Sequence, residues 1–204
     1  MRTLSKKDII YAIVTGLLTG IVANGVLSFL KVSLPFGIPL GLLVVVVPIL
    51  WILGVQLGYA LGMWIGFFTR FGKFAAIGFT NAAVDFGVLN LEIALSDIDR
   101  GPWFSVFKGV SFIVAIMHSY LWNKFWVFDA GESGGGKGEF AKFIGVAVVS
   151  FVINVSVASV VVNLVHPLAG IGTTPWASVG AIVGSAVALV FSFVGFRLAV
   201  FKKS

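Results

Sequence analysis

Three side chains that are charged at neutral pH fall inside stretches otherwise apolar enough to lie in a bilayer: Asp85, Glu92 and Lys108. A lone charge at the centre of a membrane costs roughly 3 kcal/mol or more, so such groups face protein or water, and they either pair or mark the path of a polar ligand. Gly78, Asn81, Asp85 and Glu92 advance by three, four and seven residues, which keeps them on one face of a helix. On the following stretch Lys108, Ser111, Ala115, Ser119 and Trp122 share a stripe, with His118 at its margin. Counted from the short hydrophilic segment between the two stretches, Glu92 and Lys108 lie at similar depth and are expected to pair. Asp85 lies deeper, level with Ser111 to His118, where a polar cleft would open. Ion pairs that serve helix packing alone would use the same residue types, so the spacing leaves both readings open.

A second set of groups suited to chemistry is cationic. Lys73, Lys124, Lys142 and Arg197 sit at the ends of apolar stretches. Such cations ordinarily set topology and meet anionic lipid. Together they could also hold a phosphate through charge-assisted hydrogen bonds. Other chemistry is not expected. Gly131 to Gly138 reads G-x4-G-K-G, but it lacks the closing Ser or Thr of a phosphate-binding loop and follows a membrane helix rather than a strand, so it reads as a linker. Asp97-Ile98-Asp99 imitates a metal-binding acid pair within a very short loop and reads as solvated surface. His118 and His166 have no metal-ligand spacing, and there is no cysteine for a thiolate site or a disulfide. No catalytic residue, metal or cofactor is expected, and the chain does not read as an enzyme.

These residues need helices to position them. Of 204 residues, 59% are hydrophobic and 11% charged, against about 25% charged in soluble domains. Mean hydropathy is +1.08. Continuous apolar stretches near 20 residues indicate membrane-crossing helices rather than the alternating strands of a barrel. Six are expected: Ile9–Leu30, Ile38–Phe68 with Pro48 as a kink or re-entrant start, Phe74–Leu95, Phe104–Trp126, Phe140–Val165 and Trp176–Phe201. The first is too long for the core of a signal peptide. Thr69 to Lys73 reads as a tight basic connector and residues 129–139 as a Gly-rich linker. Eleven cations fall on one side of this topology and three on the other, which places both termini in the cytosol, and the plasma membrane is the expected location. The net charge of +6 is spent on these helix ends, so nucleic acid is not an expected partner.

Two faces of small residues stand out. Gly54, Gly58, Gly62 and Gly66 form a ladder on the second helix, and Gly180, Gly184, Ala188 and Ser192 form one on the sixth. Such faces let backbones approach closely, within one chain or between copies in a homo-oligomer.

The segment His118–Phe128, HSYLWNKFWVF, ends one apolar stretch with an amide, a cation and two indoles, as expected where a helix leaves the hydrocarbon. Phe196-Arg197-Leu198-Ala199-Val200-Phe201 closes the chain on a similar pattern. Laying Lys73-Phe74 on Lys142-Phe143 sets Asp85 opposite Asn154, and laying Lys124 on Arg197 aligns both Val-Phe ends. The last four helices therefore read as a duplicated helix pair of parallel orientation.

The basic-Phe start, Gly78 and Asn81 before Asp85-Phe86, Lys108, Ser111-Phe112, Tyr120, Asn123-Lys124 and Trp126-Val127-Phe128, followed by a weaker repeat, resemble the GtrA-like family over residues 70–201. His118 departs from the small amide or hydroxyl expected there. The resemblance implies a division at residues 1–69, two additional N-terminal helices, and 70–204, a four-helix GtrA-like domain. It further implies a bilayer-embedded protein of cell-surface polysaccharide synthesis that translocates or presents a polyprenyl-phosphate-linked sugar. The alternative it implies is a non-catalytic anchor or scaffold for a polyprenyl-phosphate glycosyltransferase. Under the first reading Asp85, Glu92, Lys108, Ser111, His118, Asn123, Lys124, Asn154 and Arg197 are the candidate ligand-binding residues. Lys124 with Arg197 would hold phosphate at a wet cytosolic edge, and Lys108 beside Glu92 and Asp85 would receive the headgroup as it crosses.

Overall fold

A computed structural model describes residues 4–131, 137–167 and 173–201; the linker residues 132–136 lie outside the described residues, as do Arg2, Lys202 and Lys203. The described residues form helices and no strand. Helix α1 spans Lys6–Phe29, α2 Leu43–Leu61, α3 Phe67–Ser96, α4 Gly101–Trp122, α5 Lys137–Leu164 and α6 Thr173–Gly195. Two short 3-10 turns, Pro35–Gly37 and Leu40–Leu42, lead into α2. Helices α4 and α6 each run on into a five-residue π-helical segment, Asn123–Val127 and Phe196–Val200. Among the described residues six helical segments have the length and apolarity to cross a membrane.

Around the turn between α2 and α3 two boundaries differ from the sequence expectation. The second helix ends at Leu61 with Gly62 as its C-cap, rather than at Phe68. Thr69 to Lys73 is helical, within α3, rather than a connector; the turn lies at Gly62–Gly66. The reason is local. Gly62 and Gly66 flank a stretch whose hydrogen bonds are mostly short-range turn contacts, whereas Thr69 to Lys73 carries no Gly–Pro punctuation except Gly72, which a membrane helix tolerates. The residue 69/70 division consequently falls inside α3.

By packing, the chain forms two compact units, Met1–Asp129 and Ala130–Ser204. In the first, α1, α2, α3 and α4 pack on one another. Glycine permits the closest approaches. A Cβ on Gly16 would stand 2.5 Å from Pro48 Cα, and one on Gly20 would collide with the backbone of Leu43 and Val44, so α1 lies directly on α2. A Cβ on Gly58 would lie 2.8 Å from the Phe68 carbonyl and 3.0 Å from Gly72 Cα, and one on Gly62 would strike Thr69. The small-residue face of α2 is thus turned onto the start of α3. Gly54 has open space around its Cβ position, and Gly66 lies beyond the helix, so the ladder is broken at Gly62. Inside the bundle Thr80 Oγ1 accepts from Trp51 Nε1 at 3.1 Å and from Thr19 Oγ1 at 3.0 Å, joining three helices where water is scarce.

In the second unit α5 packs along α6. Gly180 approaches Ala158 and Val162, and Gly184 approaches Asn154 and Ala158. Ser192 donates to Ser150 at 2.6 Å. Each unit closes its π-helical end with the same bond, Phe128 N to Asn123 O at 2.9 Å and Phe201 N to Phe196 O at 2.8 Å. In each, a Phe in the second turn of one helix meets the Phe that follows the π-helical end of the other: Phe74–Phe128 at 6.5 Å and 55°, Phe143–Phe201 at 6.1 Å and 56°.

Candidate functional site

The polar face of α3 meets that of α4 at Asp85. Lys108 Nζ lies 2.5 Å from Asp85 Oδ2, and Ser111 Oγ donates to Asp85 Oδ1 at 2.7 Å. The carboxylate therefore has both oxygens occupied, and the charge on Lys108 is neutralised. This corrects the expected Glu92–Lys108 pair. Measured from the intervening loop, Lys108 lies at a depth between the two acids, so that count does not decide. Asp85 and Glu92 share one face of α3, so axial register decides: Lys108 and Ser111, three residues apart on one face of α4, both stand level with Asp85. Glu92, seven residues further along α3 and so about 10 Å away, remains without that cation.

Several polar atoms on these helices are buried with no hydrogen-bond partner: Asn81 Oδ1, Glu92 Oε2, Asn123 Oδ1, and both ring nitrogens of His118. Helical spacing puts Asn81 one turn from Asp85 and His118 two turns from Ser111, in the direction of the π-helical end. Asn123 is fully buried, and its amide nitrogen is used on Ser119, donating to the carbonyl at 2.8 Å and to the hydroxyl at 3.3 Å. A buried polar atom left unpaired costs about 1–3 kcal/mol. Five such atoms on two neighbouring helices form a face suited to a ligand that hydrogen-bonds.

At the opposite end from the α3–α4 loop stands a cluster that the sequence did not reveal. Asp8 is buried, at 3% exposure, and takes four donors from four segments. Ser5 Oγ (2.7 Å) belongs to the cap of α1, and Tyr59 OH (2.7 Å) to α2. Lys73 Nζ (2.5 Å) comes from α3, and Trp126 Nε1 (2.9 Å) from the π-helical segment. Ser5 Oγ also caps α1 by accepting from Asp8 N at 3.1 Å. The available signal was the Ser-x-x-Asp pattern ahead of an apolar stretch, which marks a helix start; nothing local announces the other three partners. Tyr11 adds edge contacts to Trp122 (5.3 Å) and Trp126 (5.9 Å), and Lys7 pairs with Asp129 at 3.1 Å.

The cations expected to act together differ in circumstance. Lys73 is engaged by Asp8 and lies over the Tyr59 ring. Lys124 is buried, at 7% exposure, beside Tyr120, rather than at a wet edge. Asn123, Trp126 and Val127 of the same π-helical segment are buried with it. Lys142 and Arg197 are exposed in the second unit. There Asn154 donates to Ser185 at 3.3 Å, and a Cβ on Gly184 would stand 2.5 Å from the Asn154 carbonyl oxygen. An apolar groove of about 440 Å³ between α1 and α3, lined by residues such as Val22, Val26, Val84 and Leu91, lies on roughly the opposite face of α3 from Asp85 and forms no part of the polar face. Among the described residues no group of His and acidic side chains is placed to hold a metal.

The family described as GtrA/DPMS, transmembrane domain, matches residues 73–201. The chain belongs to the GtrA/DPMS transmembrane-domain family. This is a multi-pass membrane protein of a family tied to glycosylation and polysaccharide synthesis with polyprenyl-phosphate sugars. Comparison with curated proteins and with solved structures gave no match. Helices α1 and α2 lie ahead of the matched GtrA/DPMS region, yet Asp8 binds Lys73 and Trp126 inside it.

Proposed function

We propose that this GtrA/DPMS protein translocates a polyprenyl-phosphate-linked sugar across the membrane or presents it for transfer. The supporting observation is the polar face of α3 and α4, where an ion pair at Asp85–Lys108 is flanked by buried polar atoms that lack partners. Helix packing alone is served by groups that satisfy one another; five unsatisfied atoms are better explained by a ligand that visits them. In this reading Asp85, Lys108 and Ser111 form the fixed centre of the path. Glu92, Asn81, His118 and Asn123 contact the passing headgroup. Lys124, and in the second unit Arg197 with Asn154, are candidate contacts for phosphate and sugar. A polyprenyl-phosphate glycosyltransferase is the partner enzyme whose product would enter here. The likeness of the two π-helical ends and of the Phe74–Phe128 and Phe143–Phe201 contacts supports a duplicated helix pair. A scaffold would need a free adhesive face, and the Gly58 and Gly62 surface is occupied by α3 of the same chain.

The test is translocation of a polyprenyl-phosphate sugar in proteoliposomes by an Asp85→Leu, Lys108→Met double variant. It removes the pair without leaving a lone charge. A stable double variant that no longer transports supports the reading. Transport at the wild-type rate would reduce the pair to a packing element and remove the polar face from the path.

A further inference from the structure

Resting on that reading, the character of the orphaned atoms narrows which part of the ligand the α3–α4 face can take. Three of them, Asn81 Oδ1, Glu92 Oε2 and Asn123 Oδ1, are hydrogen-bond acceptors. They call for donors. Asn123 stands beside the buried cation Lys124, but the cation nearest Asn81 and Glu92 along the helices, Lys108, is already neutralised by Asp85, which leaves Glu92 as the uncompensated formal charge of that stretch. A phosphate brings acceptor oxygens and negative charge, and matches neither property. A neutral sugar brings several hydroxyl donors and matches both. We infer that the stretch of this face around Glu92 reads the hydroxyls of an uncharged sugar, with Glu92 as the residue that determines specificity, and that it excludes both the phosphate and acidic sugars.

The discrimination has two parts. A hydroxyl donated to Glu92 relieves an acceptor that is otherwise buried unpaired, which favours a glycosylated lipid over the bare prenyl phosphate. A carboxylate on the sugar would instead face Glu92 across the same space, a like-charge contact that rejects the wrong ligand rather than merely failing to attract it.

The experiment measures binding of three short-chain probes to the full chain in lipid nanodiscs: a prenyl phosphate carrying glucose, one carrying glucuronate, and the bare prenyl phosphate. Wild type should bind the glucosyl probe about tenfold more tightly than the other two, the size of one well-made hydrogen bond to a charged group. Glu92→Gln should bring the glucuronyl probe close to the glucosyl one. Glucuronyl and glucosyl probes of equal affinity in wild type, or a bare probe as tight as the glucosyl one, would overturn the inference, and this ranking needs no variant to fold. If all three bind equally, prenyl phosphate recognition stands and only the sugar selectivity falls. If none binds, the translocation reading fails with it.

Discussion

An acid inside a membrane helix must be given its solvation by the protein, and this chain does so twice, with four donors around Asp8 and two around Asp85. Removing one member of such a set strands the rest, which is costlier than removing the set. Lys108→Ala should therefore lower stability by on the order of 3 kcal/mol, read as thermal unfolding in detergent, while Asp85→Leu with Lys108→Met should recover most of it. Glu92→Ala should give no such rescue, because Glu92 is not the partner; a full rescue by Glu92→Ala would restore the pairing expected from depth. The face that carries Asp85, Ser111 and Lys108 was legible from spacing, since helical periodicity is a property of the chain itself. Which acid Lys108 meets was not, because that depends on how far α4 is shifted along α3. Asp8 was hidden more thoroughly. Its donors lie at positions 5, 59, 73 and 126, and only the first is close in sequence.

At the scale of the helix, the Asp8 cluster makes α1 and α2 part of the matched domain's support rather than an addition beside it. Asp8→Ala should leave Lys73 buried without its counter-charge and Trp126 without its acceptor, with a loss of about 3–5 kcal/mol in thermal unfolding. Asp8→Leu combined with Lys73→Met should regain most of that. An unchanged melting temperature for Asp8→Ala would mean the cluster contributes nothing to the fold. The glycines allow a parallel contrast within one helix. Gly58→Leu places a side chain where the Phe68 carbonyl and Gly72 already stand, and should destabilise by about 1–3 kcal/mol or more, whereas Gly54→Leu enters open space and should not. Equal effects at both positions would show that α2 does not use this face against α3. A ladder of small residues was readable as a close-packing face. Its extent was not, because Gly62 and Gly66 look identical to Gly58 in spacing and differ only in lying where the backbone turns.

Over the whole molecule, the six spans were legible because hydropathy is summed over some 20 residues and tolerates errors at either end. Their ends were not, since a cap or a π turn is decided by one or two residues. Orientation rests on the distribution of cations, eleven against three by loop, and it makes a further prediction. The chain has no cysteine, so single cysteines can be introduced as reporters. With both termini in the cytosol, a cysteine at Asp99, in the α3–α4 loop, should react with a membrane-impermeant maleimide added to sealed cells, and one at Gly131 should react only after the cells are opened. Labelling of the Gly131 position in sealed cells would reverse the orientation. The consequence reaches the site, because Glu92 lies toward the α3–α4 loop and the Asp8 cluster toward the other end of the same helices. Under the proposed translocation, a lipid-linked sugar made in the cytosol would in the expected orientation meet the Asp8 and Lys124 end first and leave past Glu92; in the reverse orientation Glu92 would be the point of entry, and the polar face would have to act on the sugar before the phosphate reached any cation.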